Sequence, residues 1–539
     1  MKVLCCCPLL LLILIPKACE GGNILVVPSE GSHWINMDVL LKALHSKGHN
    51  ITLLRSSKSW YIPVKGDSSY NIITVPVEST LDQKFITTLV AKGIEFQRGS
   101  LPLTSFLYMS VGMFGTIAEV HKAVCDFVTA ILDDSELMRK LNDSKFDLLL
   151  ADPCWGVGVI LAKYLNLPLV YNVRWVLSTE AHFSIAPSPT SYIPVTGTGN
   201  TDKMTFFQRV KNMVLHVITQ IQNDLVVRLV YQKITDKYLG SDQDFNELMI
   251  DADIWLMRVD FVFDYPRPTM PNAVYMGGFQ CKPAKPLPQH LEDFVQSSGE
   301  HGFILMSLGT FVTELPADLA NEIAAAFAKL PQKVIWKYKG DRPATLGNNT
   351  LLVDWMPQND LLGHPKIKLF VAHGGTNGVQ EALYHGVPVV GIPFFFDQYD
   401  NLLRLKDRGG AKILTLTTVD KDNNFLKAIQ EVVNEPSYRK NMQRLSKLHR
   451  DKPITPLDNA LFWIEFVMRH KGAAHLKATS YRMPCFFRHA GRTESGGNVR
   501  RVFFFFLSQL FLVRVCGEEA IVERSTAFAD GGNASTDVC

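Results

Sequence analysis

The stretch VAHGGTNGVQEALYHGVPVVGIPFFFDQ, residues 371–398, decides the fold of this chain. Residues 367–372 form a short apolar run typical of a buried strand, 376–384 have helical spacing, and 387–392 again resemble a strand. A strand, a Gly-Gly turn and a helix start together form an anion site, because unpaired backbone amides and the helix dipole favour a phosphate. The stretch therefore predicts an α/β fold with a parallel sheet that binds a phosphorylated ligand.

Polar residues are spaced through this stretch where a nucleotide would need them. His373 directly precedes the turn Gly374–Gly375, and Glu381 lies about one and a half turns into the predicted helix, within reach of a ribose. Asp397 and Gln398 follow the next strand, at the carboxyl edge where ligands of open α/β sheets usually bind. A single Gly-Gly turn would be weak evidence, but the whole spaced set strongly favours a nucleotide site.

These residues resemble the signature of nucleotide-sugar-dependent glycosyltransferases, and within them the vertebrate UDP-glucuronosyltransferases. The resemblance runs from about residue 23 to residue 484. It includes the motifs GSHW (31–34), ADP (151–153), DYPRPTMPN (264–272), SLGT (307–310) and WMPQNDLLGHP (355–365). It implies a GT-B fold, in which two Rossmann-like domains face one another across a cleft.

The length and periodicity of the chain fit this architecture. A chain of 539 residues is long enough for more than one hydrophobic core. Residues 23–54 and 146–172 have βαβ patterns, 80–140 and 203–239 look helical, and the proline-rich 281–288 is typical of a linker. The predicted organisation is a signal peptide (1–20), an acceptor-binding domain (23–280), a linker (281–300), a UDP-sugar-binding domain (301–484) and an atypical tail (485–539).

The resemblance also implies how a UDP-sugar is held in the second domain. No cofactor and no metal ion are expected, and UDP-glucuronate is the expected co-substrate. The implied contacts are Trp355 and Gln358 with uracil, Ser307, His373 and the amides of Gly374, Gly375 and Asn377 with the phosphates, Glu381 with the ribose, and Asp397 and Gln398 with the sugar. Taken alone, Trp355 could equally be a core residue and His373 a structural histidine.

The first domain is expected to supply the catalytic base. His33 lies in the loop between the first predicted strand, 23–27, and a helix predicted from Trp34 to Ser46, and a histidine near neutral pKa can take a proton from an acceptor hydroxyl. Asp152, at the end of the 146–151 strand, is the implied partner that orients the imidazole. Either residue could instead simply cap a helix. Arg258 could bind a sugar carboxylate, or form an ordinary salt bridge, so glucuronate and glucose both remain open as the donor sugar.

Cysteines and charge exclude several other classes of protein. Only Cys125, Cys154 and Cys281 lie in the body of the chain, with no metal-ligand spacing. A net charge of +3 without a basic stripe argues against a nucleic-acid partner. Of the glycosylation sequons, Asn142 and Asn348 lie in the more polar surroundings.

The two ends of the chain bear on its location. Residues 1–20 resemble a secretory signal peptide, which with the family resemblance indicates the lumen of the endoplasmic reticulum and a membrane-associated protein. The apolar run 502–515 is shorter than the roughly 20 residues of a spanning helix, so a single-pass anchor is doubtful. An interfacial helix or an alternative end are the other interpretations.

The predicted activity is inverting transfer of glucuronic acid from UDP-glucuronate to a hydroxyl of a small lipophilic acceptor. Association with relatives into homo- or hetero-oligomers is a further possibility. The alternatives are the same chemistry with UDP-glucose or another UDP-sugar, and a non-catalytic UDP-sugar-binding or partner subunit. An NAD-dependent oxidoreductase is disfavoured, because PSEGSH (28–33) stands where G-x-G-x-x-G would be needed.

Overall fold

A computed structural model describes residues 21–64, 69–77, 82–98, 103–174 and 180–478. The predicted signal peptide 1–20 and tail 485–539, with its apolar run 502–515, lie outside the described residues. The described residues form two parallel sheets covered by helices, which confirms the predicted α/β class with two Rossmann-like domains.

The first sheet has the strand order β3-β2-β1-β4-β5-β6-β7, and every neighbouring pair is parallel. Its strands are β1 (Asn23–Val27), β2 (Asn50–Ser56), β3 (Asn71–Val75), β4 (Leu148–Ala151), β5 (Leu169–Val173), β6 (Ile254–Met257) and β7 (Ala273–Tyr275). Its helices are α1 (Ser32–Ser46), α2 (Gln83–Arg98), α3 (Leu103–Asp133), α4 (Ser135–Asp143), α5 (Val157–Tyr164), α6 (Ala181–Ile185), α7 (Phe206–Gln222), α8 (Leu229–Leu239) and α9 (Phe245–Ile250). A π-helical turn, Asn223–Arg228, joins α7 to α8.

The second sheet has the order β10-β9-β8-β11-β12-β13 and is also parallel throughout. Its strands are β8 (Phe303–Ser307), β9 (Lys333–Lys337), β10 (Thr350–Val353), β11 (Ile367–Ala372), β12 (Val389–Gly391) and β13 (Ala411–Ile413). The remaining helices are α10 (Gln289–Gln296), α11 (Ala317–Ala328), α12 (Gln358–Leu362), α13 (Thr376–His385), α14 (Gln398–Asp407), α15 (Asn424–Asn434), α16 (Pro436–Arg450) and α17 (Pro456–His470), followed by the 3-10 turn Ala474–Leu476.

The central strands of both sheets are buried on both faces, whereas the edge strands β3 and β10 are partly exposed. β4, β5, β6 and β8 are buried at every residue, which requires the continuous apolar sequences these segments have. Each strand pair runs parallel, so its connections must cross over the sheet, and helices α1, α5, α11 and α13 provide such crossovers. The carboxyl ends of the strands therefore gather at one edge of each sheet, where the predicted site residues lie.

The last long helix, α17, packs against the first sheet although it follows the second in the chain. Leu461, Ile464 and Val467 are buried in one cluster with Leu40 of α1 and Ile254 of β6. Lys47 in the first domain also forms an ion pair with Glu465 of α17 at 3.0 Å. The range 301–484, assigned from the sequence to the second domain, thus includes a segment whose apolar face is buried by the first.

The predicted linker also contains regular structure. Residues 281–288 have no helix or strand, as their prolines indicate. Helix α10, however, lies within the range 281–300, and its Leu291 and Val295 are buried against Phe303 of β8. The proline-rich segment without helix or strand is therefore 281–288, and the rest of the range 281–300 includes α10. Of the helices in the described part of the chain, none combines the length and the apolar composition that a membrane crossing requires.

Candidate active site at the domain cleft

His33 and Asp152 form a hydrogen-bonded pair at the carboxyl edge of the first sheet. Nδ1 of His33 lies 2.6 Å from Oδ2 of Asp152. Asp152 directly follows β4, and its other oxygen accepts from the backbone amide of Cys154 at 2.9 Å. The bond to Asp152 favours the tautomer with the proton on Nδ1, which leaves Nε2 of His33 free to accept a proton.

The position of His33 differs slightly from the sequence prediction. The predicted helix began at Trp34, which put His33 in a loop, whereas α1 begins at Ser32 and holds His33 in its first turn. Gly31 precedes it with φ of 66°, and a Cβ there would lie 2.6 Å from the ring of Phe311 in the second domain. A glycine is needed at this point because the backbone is left-handed and the other domain is in contact.

Burial and neighbouring charges keep His33 neutral. Its pKa is lowered mainly by burial, and the charges of Arg174 and Arg258 lower it further, while Asp152 acts in the opposite direction. A neutral imidazole at physiological pH is the form that can act as a base.

Cys154 brings a third possible ligand atom near this pair. Ligand atoms of His33, Asp152 and Cys154 lie within 4.8 Å of one another. Burial, and then the charge of Asp152, raise the pKa of the Cys154 thiol well above its usual value, so the thiolate that a metal ion would need is disfavoured. The 2.6 Å distance between His33 and Asp152 is that of a normal hydrogen bond, so these two side chains are already paired with each other. The prediction that no metal takes part stays a prediction.

The Gly-Gly turn of the second domain has the geometry expected of an anion site. Ser307 and Ala372 are paired at the ends of β8 and β11, and α13 begins just after Gly375. The ring of His373 lies between two glycines: a Cβ at Gly309 would be 2.6 Å from Nε2, and one at Gly375 would be 2.4 Å from it. Both positions must therefore lack a side chain for His373 to keep this place.

The charges around this turn favour a negatively charged ligand. Lys337 donates through Nζ to the carbonyl of Gly309 at 3.0 Å, which places an ammonium group beside the turn. Burial lowers the pKa of His373 to about 4, and the charge of Arg174 acts in the same direction. His373 is thus neutral at pH 7. The positive field comes from Lys337, Arg174 and the amides of α13, and the carboxylate of Asp397 opposes it.

Of the residues predicted to bind the nucleoside, Gln358 and Glu381 are in contact, and Trp355 is exposed. Trp355 exposes 73% of its surface, as a platform for a flat base would. The side-chain amide of Gln358 donates to Oε2 of Glu381 at 2.6 Å, so in this structure Gln358 contacts the residue predicted for the ribose. Burial, and then the charge of Asp360, raise the pKa of Glu381 to about 7, against the effect of Gln358.

The residues predicted for the sugar and the phosphates differ in their environments. Oδ2 of Asp397 accepts from the hydroxyl of Thr376 at 3.0 Å, at the start of α14. The carboxamide oxygen of Gln398 is occupied by the backbone amides of Phe394 and Phe395, at 2.7 Å and 3.0 Å. The side chain of Gln398 therefore stabilises the loop that precedes α14. Asn377 donates to the backbone carbonyl of Ser32 at 3.4 Å and so links the two domains.

Arg258 lies directly after β6 and is only 5% exposed. Nε and Nη2 of Arg258 have no hydrogen-bond partner among the described residues. The third nitrogen, Nη1, is paired with Asn36. In the amide orientation that fits the hydrogen-bond pattern, the side-chain oxygen of Asn36 accepts from Nη1 of Arg258 at 2.8 Å. Burial and the charge of Arg174 lower the pKa of Arg258 to about 9, while Asp152 and Asp397 act in the opposite direction. A buried guanidinium with free donors is a strong candidate for binding an anion.

Several residues of the cleft were missed by the sequence analysis. Arg174 directly follows β5 and donates to the hydroxyl of Ser32; its position after a strand is the same signal that identified Asp152. Arg404 of α14 is ion-paired with Glu180 at 3.5 Å and with Asp264 at 3.4 Å, and so joins the second domain to the first. One cavity is lined by four of these residues and by three of the predicted or neighbouring site residues: Arg174, Glu180, Asp264 and Arg404, with Arg258, Thr376 and Asp397.

Comparison with known proteins places the chain in a family. Residues 22–491 match the sequence model of the family described as UDP-glucoronosyl and UDP-glucosyl transferase. The chain is 42% identical to human UDP-glucuronosyltransferase 2A2 over 482 residues, which cover 87% of this chain and 88% of that protein. It is 43% identical to rat UDP-glucuronosyltransferase 2B1 over 483 residues, covering 88% of this chain and 89% of that protein.

Solved structures support the fold independently. The kitacinnamycin glycosyltransferase has a TM-score of 0.54 at 18% identity and covers 83% of this chain and 99% of its own. The calicheamicin glycosyltransferase CalG4 has a TM-score of 0.53 at 18% identity and covers 84% and 99%. Both likenesses confirm the predicted GT-B fold. Because the family model matches residues 22–491 and the two relatives are 42% and 43% identical, the chain belongs to the UDP-glucuronosyl and UDP-glucosyl transferase family.

Proposed function

We propose that this chain transfers glucuronic acid from UDP-glucuronate to a hydroxyl group of a small lipophilic acceptor. The observation that carries the proposal is the 2.6 Å hydrogen bond between His33 and Asp152. This pair adjoins the Gly374–Gly375 turn of the second domain through the contact of Asn377 with Ser32. Family membership supplies the class of donor, and the relatives named above are UDP-glucuronosyltransferases.

The reaction is a single displacement. Nε2 of His33 accepts the proton of the acceptor hydroxyl while the hydroxyl oxygen attacks the anomeric carbon of the sugar. The bond from that carbon to the diphosphate oxygen breaks, and UDP leaves with the bonding electrons. Asp152 stabilises the imidazolium that forms on His33. Because attack and departure take place on opposite faces of the sugar, the product has the inverted anomeric configuration.

The second domain stabilises the departing diphosphate. Backbone amides at the start of α13 and the ammonium group of Lys337 lie beside the Gly374–Gly375 turn. Hydrogen-bond donors that are already oriented toward a developing negative charge lower the barrier without having to reorganise. Ser307 and His373 complete the proposed phosphate contacts, Trp355 and Gln358 those with uracil, and Glu381 those with the ribose.

The choice of glucuronate rests on Arg258. Its buried guanidinium has two nitrogens without a partner among the described residues and lies in the cavity that includes Asp397. A carboxylate at C6 of the sugar would satisfy both nitrogens through paired, charge-assisted hydrogen bonds. The hydroxymethyl group of glucose would not offer these two buried donors a charged acceptor, so UDP-glucuronate is the better-matched donor.

A donor and acceptor screen tests the proposal. Detergent-solubilised protein is incubated with UDP-glucuronate, UDP-glucose and other UDP-sugars against a panel of phenols and steroids, and products are identified by mass and anomeric configuration. We expect β-glucuronides. Products from UDP-glucose alone would overturn the sugar but retain the chemistry. UDP binding by calorimetry without transfer from any donor would identify a non-catalytic subunit.

The proposed location is the lumenal side of the endoplasmic reticulum, with the protein associated with the membrane. The leader-like residues 1–20 support it, and so do the sequons at Asn142 and Asn348, both of which are exposed. Alkaline extraction of microsomes that carry the full chain, with an endoglycosidase mobility assay, provides the test. An unglycosylated protein released at neutral pH would contradict this location.

A further inference from the structure

Helix α7 exposes an unusual number of large apolar side chains. Between 41% and 81% of the surface of each is accessible, and their spacing of three, four and seven residues places them on one side of the helix. These residues, which form the outer face of α7, are Phe206, Phe207, Met213, Val214, Ile218 and Ile221. A helix on the surface of a soluble protein normally turns this face toward the core.

The side of α7 that faces the protein is held by the polar contacts of Asn212 and by Leu215, which packs against the small apolar cluster of Phe183, Ile193 and Val195. Asn212 is fully buried, and its carboxamide oxygen accepts from the backbone amide of Val195 at 2.7 Å. Its nitrogen donates to the carbonyls of Thr190 and Ile193, at 2.8 Å and 2.7 Å. The attachment of α7 therefore fixes its orientation, with the outer face directed away from the domain.

The outer face continues beyond the end of α7. Leu225, in the π-helical turn, is 65% exposed, and Leu229, at the start of α8, is 50% exposed. Both follow Ile221 at intervals of four residues, so the apolar stripe runs across the junction of the two helices. An exposed apolar surface of this extent is characteristic of a binding surface for another apolar phase.

The charge of α7 indicates which phase. Between Asp202 and Asp224 the sequence has the basic residues Lys203, Arg209 and Lys211 and no acidic residue. Arg209 and Lys211 are exposed, and helical spacing places them on opposite borders of the outer face. Lys211 donates through Nζ to the carbonyl of Thr198 at 2.7 Å, so Arg209 is the more available of the two. Aromatic and aliphatic side chains bordered by basic residues are the pattern of helices that lie in a membrane interface. A symmetric contact between two copies would instead bring like charges together.

We propose that the outer face of α7, extended by Leu225 and Leu229, lies in the interfacial region of an anionic lipid bilayer. The helix axis runs parallel to the membrane plane, and Arg209 contacts lipid headgroups. This inference rests on the proposed membrane association and is independent of the transferase chemistry. It gives the acceptor-binding domain its own lipid contact, next to the phase in which a lipophilic acceptor dissolves.

A matched pair of double variants tests the surface. Val214→Glu with Ile218→Glu places charge on the outer face, and Leu448→Glu with Ile454→Glu does the same at residues of comparable exposure elsewhere. Binding of the full chain to phosphatidylcholine vesicles is measured by flotation, with and without phosphatidylserine. The first variant should lose about tenfold or more in binding to the anionic vesicles, whereas the second should bind like the parent. Equal binding of all three proteins would overturn the proposal.

A position-specific readout keeps the test valid when other parts of the full chain also bind lipid, or when the first variant misfolds. Photoreactive benzoylphenylalanine is introduced at Ile218 or at Ile454, and the full chain is irradiated with the same vesicles. Cross-linking to lipid is expected at position 218 and not at position 454. A protein–protein adduct at 218 would assign the face to a second copy and overturn the proposal. Retained UDP binding shows that the donor site is unaffected, so failure here is separable from failure of the proposed reaction.

Discussion

The side-chain amide of Asn377 lies 3.4 Å from the backbone carbonyl oxygen of Ser32, and this contact joins the two halves of the candidate site. Asn377 is in the first turn of α13, and Ser32 is the first residue of α1. His33 follows Ser32, and the Gly374–Gly375 turn precedes α13. The proposed base and the proposed anion turn are therefore positioned against one another by the same interdomain hydrogen bond.

His33→Ala should abolish transfer and leave UDP binding nearly intact. The imidazole belongs to the first domain, whereas the nucleotide is proposed to bind the second, and loss of a positioned general base lowers rates by about 10²–10⁴-fold. Turnover and calorimetry with UDP on one preparation provide the measurement, with His45→Ala, at the far end of the same helix, as the control. Activity of His33→Ala within a few-fold of the parent would remove His33 from the role of base.

Glu381→Ala should weaken UDP binding by about tenfold or more. A carboxylate that accepts from ribose hydroxyls contributes about 1.5–3 kcal/mol through charge-assisted hydrogen bonds. Calorimetry with UDP and with free uracil separates the ribose contact from stacking of the base. Unchanged UDP affinity in a folded variant would exclude Glu381 from the site.

Glu381→Gln should change how stability depends on pH. Burial raises the folded-state pKa of Glu381 to about 7 from 4.5. Between these values the folded protein holds a proton that the unfolded chain has lost, so the contribution of Glu381 to stability falls as pH rises. Relative to the Gln variant, the parent should lose free energy of unfolding between pH 4.5 and about 7 and then level off. Denaturant titrations of both proteins across this range measure the difference, and parallel curves would contradict the raised pKa.

Arg258→Leu should reduce use of UDP-glucuronate far more than use of UDP-glucose. The substitution removes the two guanidinium nitrogens that are free to bind a sugar carboxylate. The measurement is the ratio of kcat/KM for the two donors, and Arg258→Lys should keep part of the preference because the charge remains. An equal fall for both donors would make Arg258 structural.

Gly309→Ala should disable the donor site, whereas Gly48→Ala should not. The two glycines have nearly the same backbone, with φ of 91° and 93°, so both variants carry a similar conformational cost. A Cβ at Gly309 would lie 2.6 Å from Nε2 of His373, while at Gly48 nothing lies within 4 Å. UDP affinity and thermal unfolding, measured together, separate the loss of the site from the shared loss of stability. Equal UDP affinity in both variants would show that His373 can move without harm.

Much of the fold could be predicted because its signals are local. The strand β11 matches the predicted run 367–372, since short apolar runs between turn residues have few other solutions. The site residues could be located because strand ends of parallel sheets gather at one edge. The structure brings His33 and Asp152, which the family resemblance implied as partners, to 2.6 Å.

Other features depend on contacts that no local pattern encodes. The apolar spacing of α17 predicts a buried face but does not tell which sheet buries it. The apolar residues on the outer face of α7 have the same kind of helical spacing, but they face away from the domain. The side of α7 that is buried is the one that carries Asn212. The interdomain role of Arg404 could not be predicted either, because its ion-pair partners Glu180 and Asp264 lie far away along the chain.

The return of α17 to the first sheet sets an order for the synthesis of the protein. Helix α17 covers the first sheet with Leu461, Ile464 and Val467. The strand residues in the same cluster, such as Ile24 and Leu148, leave the ribosome hundreds of residues earlier. Until α17 emerges, an apolar surface of the first domain stays open to water and to other nascent chains. The first domain can therefore complete its core only when nearly the whole chain has been made, and a chain that stops before residue 456 would leave part of the first sheet uncovered although the second sheet is complete.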